Sequence, residues 1–561
     1  MRSFRLPLLL LIIGVAVIAF IVYQLVPRST VTVPDTGGTY VEGVAGAPQF
    51  INPLLCQLHD EDRDLCSLTF EGLTRFNETG EVVPELASTW SLSDDGITYT
   101  FKLRQDIKWD DGAPVTVDDV IFTTRLLQDP NYTGRPDIGA LWQTVKVIRV
   151  DNQTVQFQLT QPLAPFLDFT TIGLLPQHIL SGTAAADLNG LPFNLQPVGN
   201  GPWKVVEVNT NANRVSSIAL EPSPNYYGAK PNLSRLIFRY YPNVQSAFDA
   251  YRAGDVDGFG NLSLADATRA AARDDLTLYA ATKSRYTSVF FNLRKDSGAI
   301  ALMDKPVRQA LMLALDRDKI VREVLGGEAI VADTPFIPGT WAYHTGVPHY
   351  PFDPNRATQL LRNAGYELAT VAPSNVSVWQ KNGEPIAFTL LTQDDPTRRA
   401  VAEAIAKQWR DLGVQVSVQP VRNLVRDFLS PRQFQVALVD NLIDGDPDPY
   451  PIWHRSQIIA PGQNFSGFDN KDASAWLEAA RMTTDRIKRF EYYRKFQELF
   501  SDELPALPLY YPTYEYAISN RVKRVQVPPL MYPSDRLRTI GGWYINVKRV
   551  LASEATALSK P

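Results

Sequence analysis

Pro84–Phe122 reads PELASTWSLSDDGITYTFKLRQDIKWDDGAPVTVDDVIF. Trp90–Ser93 is extended, and Asp94-Asp95-Gly96 is a turn in which glycine supplies the positive φ. Ile97–Arg104 then alternates. Tyr99, Phe101 and Leu103 point one way, and Thr98, Thr100, Lys102 and Arg104 the other. That is the pattern of a half-buried strand. Asp110-Asp111-Gly112 turns again, and Thr116 with Asp119 marks a capping-box helix start. The residues alone predict a hairpin, a turn and a helix.

Outward from this stretch, punctuation predicts three helices. Asp304 with Pro306 opens one that breaks or continues at Asp316 and stops at Gly326-Gly327. Asp353-Pro354 opens the second, which stops at Gly365, with Ala357, Leu360, Leu361 and Ala364 on one face. Asp395-Pro396 opens the third, which stops at Gly413, with Ala402, Ile405, Trp409 and Leu412 on one side. Strand-like Ile386–Thr392 and Val414–Val418 flank it, which predicts a βαβ unit and a parallel pair. Tyr286–Tyr510 therefore reads as an α/β lobe, with ligand pockets favoured at the carboxyl ends of its strands.

At 561 residues the chain is too long for one core. The net charge is −5, basic residues are scattered, and Arg521–Arg524 is only a short cluster, so nothing suggests a nucleic-acid partner. At the other end, Arg2 and Arg5 precede an apolar run from Leu6 that continues, past Gln24, to Val26. That run is long enough to span a bilayer, with the basic residues inside and the rest exported. Ile21–Pro27 offers no small-x-small cleavage site, and no cysteine ends the run. An uncleaved anchor over residues 6–26 is therefore favoured over a cleaved signal peptide. Residues 28–37 read as a tether. In an exported chain the two cysteines, Cys56 and Cys66, could close a disulfide or be two small buried side chains.

Several segments in order resemble one family. They are the opening stretch, GTYVEGVAGAPQFIN (38–52), PVGNGPW (197–203), Asn225-Tyr226-Tyr227-Gly228 and AFDAYRAGDVD (247–257). Val289–Asn292 with VRQALMLALD (307–316), and Asp353–Gly365, complete the set. Together they resemble the family 5 extracellular solute-binding proteins, the oligopeptide- and dipeptide-binding receptors of ABC importers. The resemblance implies a two-lobed α/β fold of the periplasmic-binding-protein type, type II and of the large peptide-binding class, following the transmembrane anchor. Lobe 1 would span residues 38–284 with an inserted subdomain at about 85–190, lobe 2 residues 285–510, and a return to lobe 1 residues 511–549. Residues 550–561 would be a tail. The crossings would fall near Ser284 and Tyr511, and hinge closure would bury the ligand.

The resemblance also implies the partners. They are a peptide or other small solute and ABC permease subunits with cytoplasmic ATPases, met by a monomer at the outer face of the cytoplasmic membrane or in the periplasm. It implies no cofactor and no enzymatic chemistry. Consistent with this, the chain holds neither G-x-S-x-G nor H-E-x-x-H. The five histidines have no metal-ligand spacing.

The loop LIDGDPDPYPIWHRS (442–456) is the candidate ligand grip. Peptide-binding relatives hold the ligand ammonium with an aspartate of this region. Aligning Gly445-Asp446-Pro447-Asp448 puts Ile443 at that position, and a one-residue shift puts Asp444 there. Asp444 and Asp446 are the candidate anions, and solvated turn carboxylates are the alternative. Trp341, Trp453 and Tyr286 are candidate cleft walls or core plugs. Asn464 either bonds ligand main chain or shapes its own loop. A sensor or chaperone on the same fold, or an oligosaccharide, opine or nickel-chelate ligand, remain alternatives.

Overall fold

The computed structural model describes residues 14–15, 30–212, 214–371, 376–443 and 445–551, with backbone alone for Leu264, Val371, Val376 and Leu551. The expected anchor over residues 6–26 lies almost wholly outside them. No helix among the described residues is long and apolar enough to cross a membrane.

The opening stretch folds as its pattern dictates. Strand Ala87–Leu92 pairs antiparallel with Thr98–Leu103. Tyr99, Phe101 and Leu103 are buried, and Gly96 turns at φ +73°. Thr116 caps the helix Val117–Gln128 with the reciprocal bond from its own N–H to Asp119. Thr154–Gln158 and Lys146–Arg149 extend the hairpin to a separate four-stranded antiparallel sheet.

Both lobes are built around one larger sheet. In the first, Thr39–Ala45 lies parallel to Arg235–Tyr241 and to Gly258–Gly260. In the second, Ala387–Gln393 lies parallel to Gln415–Val421 and to Val436–Leu442. The helix Pro396–Leu412 connects the first two of these. Asp395 caps its start, Gly413 ends it at φ +99°, and Val401, Ala402, Ile405 and Trp409 bury its inner face. This is the expected βαβ unit. The helix after Asp304 breaks after Leu313 and resumes at Arg317 with a new cap from Asp316.

The strand Ala506–Ser519 joins the lobes. Its first half pairs with Arg285–Phe291 and Ala329–Val331 in the second lobe. Its second half pairs with Leu276–Thr282 and Gly258–Gly260 in the first.

One expectation is corrected. Residues 28–37 read as a tether, and yet Thr30–Pro34 is a strand paired residue for residue with Val547–Leu551. Alternating Thr and Val favour extended backbone. The partner comes from the other end of the chain, so no local pattern announces the pairing. For the same reason the partner strand runs two residues into the expected tail, to Leu551, and the rest of that tail lies outside the described residues.

Candidate functional site

A cavity of about 1490 Å³ opens where the two lobes face each other. The second lobe contributes the carboxyl end of the strand Val436–Leu442 and the loop that follows. The first contributes the end of the helix Asp60–Thr69, the hairpin Thr74–Pro84, Asp168–Gly173 and the segment around Tyr532. Pockets for drug-sized ligands measure about 300–1,000 Å³, and this one is larger.

The 442–456 loop is held by internal pairs. Ile443 is pinned at the lobe crossing, its N–H donating to the Ser284 carbonyl (2.9 Å) and its own carbonyl accepting from Ser284 Oγ (2.8 Å). Asp444 lies outside the described residues. Asp446 lines the cavity, but Arg489 grips both its oxygens at 2.6 Å. Arg489 is itself buried and also donates to the Tyr493 hydroxyl (2.8 Å). Asp448 accepts from Arg481 Nε at 2.5 Å, and burial raises its pKa against that pull. A carboxylate already held bidentate by a buried guanidinium has little left to offer a ligand ammonium.

Of the aromatic candidates, Tyr286 does line the cavity. It is 1% exposed, and its hydroxyl has no well-formed hydrogen bond. Trp453 does not; it is buried against Phe290 and Phe500, a core plug as its apolar flanks allow. Trp341 is likewise turned to its own lobe, where Arg486 and Arg489 lie over its ring at 4.9 and 5.0 Å. Asn464 spends its amide on its own loop, donating to the carbonyls of His454 and Phe468 and accepting from Phe468 N–H. Its role is to shape that loop.

Cys56 and Cys66 are both buried free thiols on the cavity wall. They lie side by side, and burial with the neighbouring thiol pushes Cys66 well above the usual thiol range. No disulfide joins them in this structure.

The sequence reading missed a cluster in the first lobe. Glu71 and Glu85 both line the cavity. The Tyr226 hydroxyl donates to Glu71 and that of Tyr227 to Glu85, each at 2.8 Å, and Arg75 pairs with Glu85. Burial, then the charge of Glu85, raises the Glu71 pKa well above the carboxylate range. Tyr226 and Tyr227 stood in a recognised motif, but nothing in their spacing pairs them with glutamates about 150 residues away.

The lobes touch directly beside the cavity. The Ala164 N–H of lobe 1 donates to the Arg481 carbonyl of lobe 2 (2.7 Å), and Arg486 pairs with Glu81. A Cβ on Gly445 would meet Phe76 Cζ at 2.6 Å and the Asp168 carboxylate closer still. A larger residue here would make the tips of those two side chains shift.

The model of the bacterial extracellular solute-binding proteins, family 5, matches residues 81–457. The oligopeptide-binding protein AppA of Bacillus subtilis is 28% identical over 91% of this chain and 92% of its own length. The dipeptide-binding protein of Escherichia coli is 28% identical over 89% and 94%. The structure of Bacillus subtilis AppA in complex with a nonapeptide superposes with a TM-score of 0.68 at 27% identity, covering 92% of this chain and all of that one.

Proposed function

Because the chain belongs to the bacterial extracellular solute-binding proteins of family 5, we propose that it captures a peptide or peptide-like solute between its lobes and delivers it to an ABC permease. The observation that carries this reading is the interlobe cavity of about 1490 Å³, walled by both lobes and larger than the pockets that take drug-sized ligands. The hinge would be the two crossings, at Lys283-Ser284 and within the continuous strand near Tyr511. Rotation there opens and closes the cleft as a rigid-body motion. Tyr286 and the backbone of the 442–448 loop would meet the ligand, with Asp444 as the remaining candidate anion. The protein does no covalent chemistry in this reading.

The N-terminal run, residues 6–26, would hold the body at the outer face of the membrane and raise its effective concentration near the permease. In that exported compartment Cys56 and Cys66 could be oxidised to a disulfide.

The test is mass spectrometry of the solute released when the purified protein is denatured. A peptide or peptide-like compound is expected. Stoichiometric recovery of a sugar or a metal chelate would overturn the reading.

A further inference from the structure

We infer that the ribbon of Thr30–Pro34 with Val547–Leu551, together with the basic corner at its foot, is a membrane-docking surface. It lies on the anionic headgroups of the bilayer that holds the N-terminal run. The inference rests on the anchored reading above and adds how the anchored body sits.

The ribbon offers a surface that the rest of the chain does not cover. Its strands pair only with each other, in a sheet apart from the one that runs through both lobes. Val31 and Val547 are 38% and 53% exposed, and Thr30, Thr32, Lys548 and Arg549 are exposed beside them. Lys548 and Arg549 can lay their stems along such apolar spots and keep their charged heads at a polar boundary.

More cations stand at the foot of the ribbon. Lys523 and Tyr544 exchange backbone bonds, the Lys523 N–H donating to the Tyr544 carbonyl (2.8 Å) and the Tyr544 N–H to the Lys523 carbonyl (3.3 Å). Tyr544 comes just before the strand Val547–Leu551. Arg524 is next in the chain, at φ +61°. Arg521 donates to the carbonyl of Thr39 (3.1 Å), just past the other ribbon strand. The short basic cluster Arg521–Arg524 is thus brought to the ribbon by pairings across the chain.

Charge selects the partner. Of the acids in this corner, Asp35 is paired with Lys548 (3.1 Å), Asp257 with Arg521, and Asp275 with Arg273 (2.9 Å). Asp274, whose carbonyl accepts from Asn520, has no ion pair among the described residues. Lys523, Arg524 and Arg549 are exposed, and none of them forms an ion pair among the described residues. Free cations therefore outnumber free acids here, in a chain whose net charge is −5. Anionic headgroups complement such a corner, and the attraction acts within a Debye length of about 8–10 Å.

The length of the lead keeps the ribbon in that zone. The apolar run ends at Val26, and Pro27, Arg28 and Ser29 separate it from Thr30. At about 3.5 Å per residue this lead spans at most ~14 Å, less than the ~17 Å of a five-residue strand. Arg28 adds a further cation to it. A ribbon lying along the surface brings Lys523 and Arg524 down beside Lys548 and Arg549.

The experiment holds the full chain in nanodiscs of phosphatidylcholine, alone or with about one-third phosphatidylglycerol. Mass spectrometry follows the acetylation of individual lysines. Lys407, 73% exposed on the helix Pro396–Leu412 of the second lobe, is the reference. Lys523 and Lys548 should react at least fivefold more slowly in the anionic discs, with Lys407 unchanged. Salt at about 0.5 M should remove the difference by screening. Arg524→Gln combined with Arg549→Gln should return Lys523 towards its rate in neutral discs. Equal rates in both lipids would overturn the inference and leave the anchored reading standing. A chain recovered without residues 6–26, or one that stays outside the discs, would overturn the anchored reading and the inference with it. Slowing that requires two chains per disc would assign the surface to a second copy, and slowing confined to native vesicles that hold the permease would assign it to the permease. Either result would overturn lipid docking.

Discussion

Asp446 is available to a ligand only if Arg489 lets go of it. Both groups are buried, and the pair is bidentate at 2.6 Å. Removing one partner of such a pair costs about 3–5 kcal/mol, because the other is left charged and desolvated. Asp446→Ala should therefore lower unfolding stability by about that much in urea titrations. Asp446→Leu combined with Arg489→Met should recover most of it, since a hydrophobic replacement is often neutral. If Asp446→Ala leaves the urea midpoint unchanged, the pair is not structural. A second residue gives a pH signature. Asp110, half-buried, accepts from Gly199 N–H (3.0 Å) and Ser223 Oγ (2.5 Å), and burial pushes its pKa up from 3.8 to about 6. The native state thus binds more protons than the unfolded one between those values, and Asp110's contribution to stability falls as pH rises from about 4 to about 6. At about 1.4 kcal/mol per pKa unit the change is on the order of 2 kcal/mol. The slope of Tm against pH in that window should be more positive in Asp110→Asn than in the parent; an identical slope would show that Asp110 does not contribute. The three-aspartate run drew attention to a loop that lines the cavity, but not to the pairing of Asp446 and Asp448 with arginines. Their arginines sit 43 and 33 positions away on helices whose facing is set by packing.

Elements were legible wherever their signals are local. The helix Pro396–Leu412 carries its cap, its stop and its apolar face within its own sequence, and its flanking strands pair parallel as expected. The hairpin in the opening stretch was equally local. Pairings between distant segments were not. The ribbon of Thr30–Pro34 with Val547–Leu551 joins the two ends of the described chain, with the Asp35 N–H donating to the Asn546 carbonyl (2.9 Å) and Lys548 pairing with Asp35 (3.1 Å). A two-stranded ribbon is marginal on its own, so either strand should fray without the other. Truncation after Asn546 should abolish amide-exchange protection across residues 30–34 while leaving Thr39–Ala45 protected, because that strand is held on both sides by the large sheet. Retained protection at 30–34 would mean the ribbon contributes nothing there.

At the scale of the molecule, family and lobes were legible because seven short motifs keep their order along the chain. The contacts that close the lobes were not, since each is made by residues unremarkable in their own segments. Gly445 shows how closure could be governed. The constraint there is space across the cleft, where a Cβ would press on the tips of the Phe76 and Asp168 side chains of the other lobe and make them shift. The exposed Arg486–Glu81 pair and the Ala164–Arg481 bond are each modest. Both run between the lobes and would break as the lobes part, so their whole strength would bear on the open–closed balance, where about 1.4 kcal/mol is a tenfold shift. Gly445→Val should therefore act on closure rather than on folding. Its side chain forces the lobes apart, while both cores keep their packing. Small-angle scattering of the ligand-saturated variant should give a larger radius of gyration than the parent, ligand affinity should fall at least tenfold, and Tm without ligand should move by no more than a few degrees. A variant that scatters as the parent does and binds as tightly would show that the loop yields and that this contact does not set the closed state.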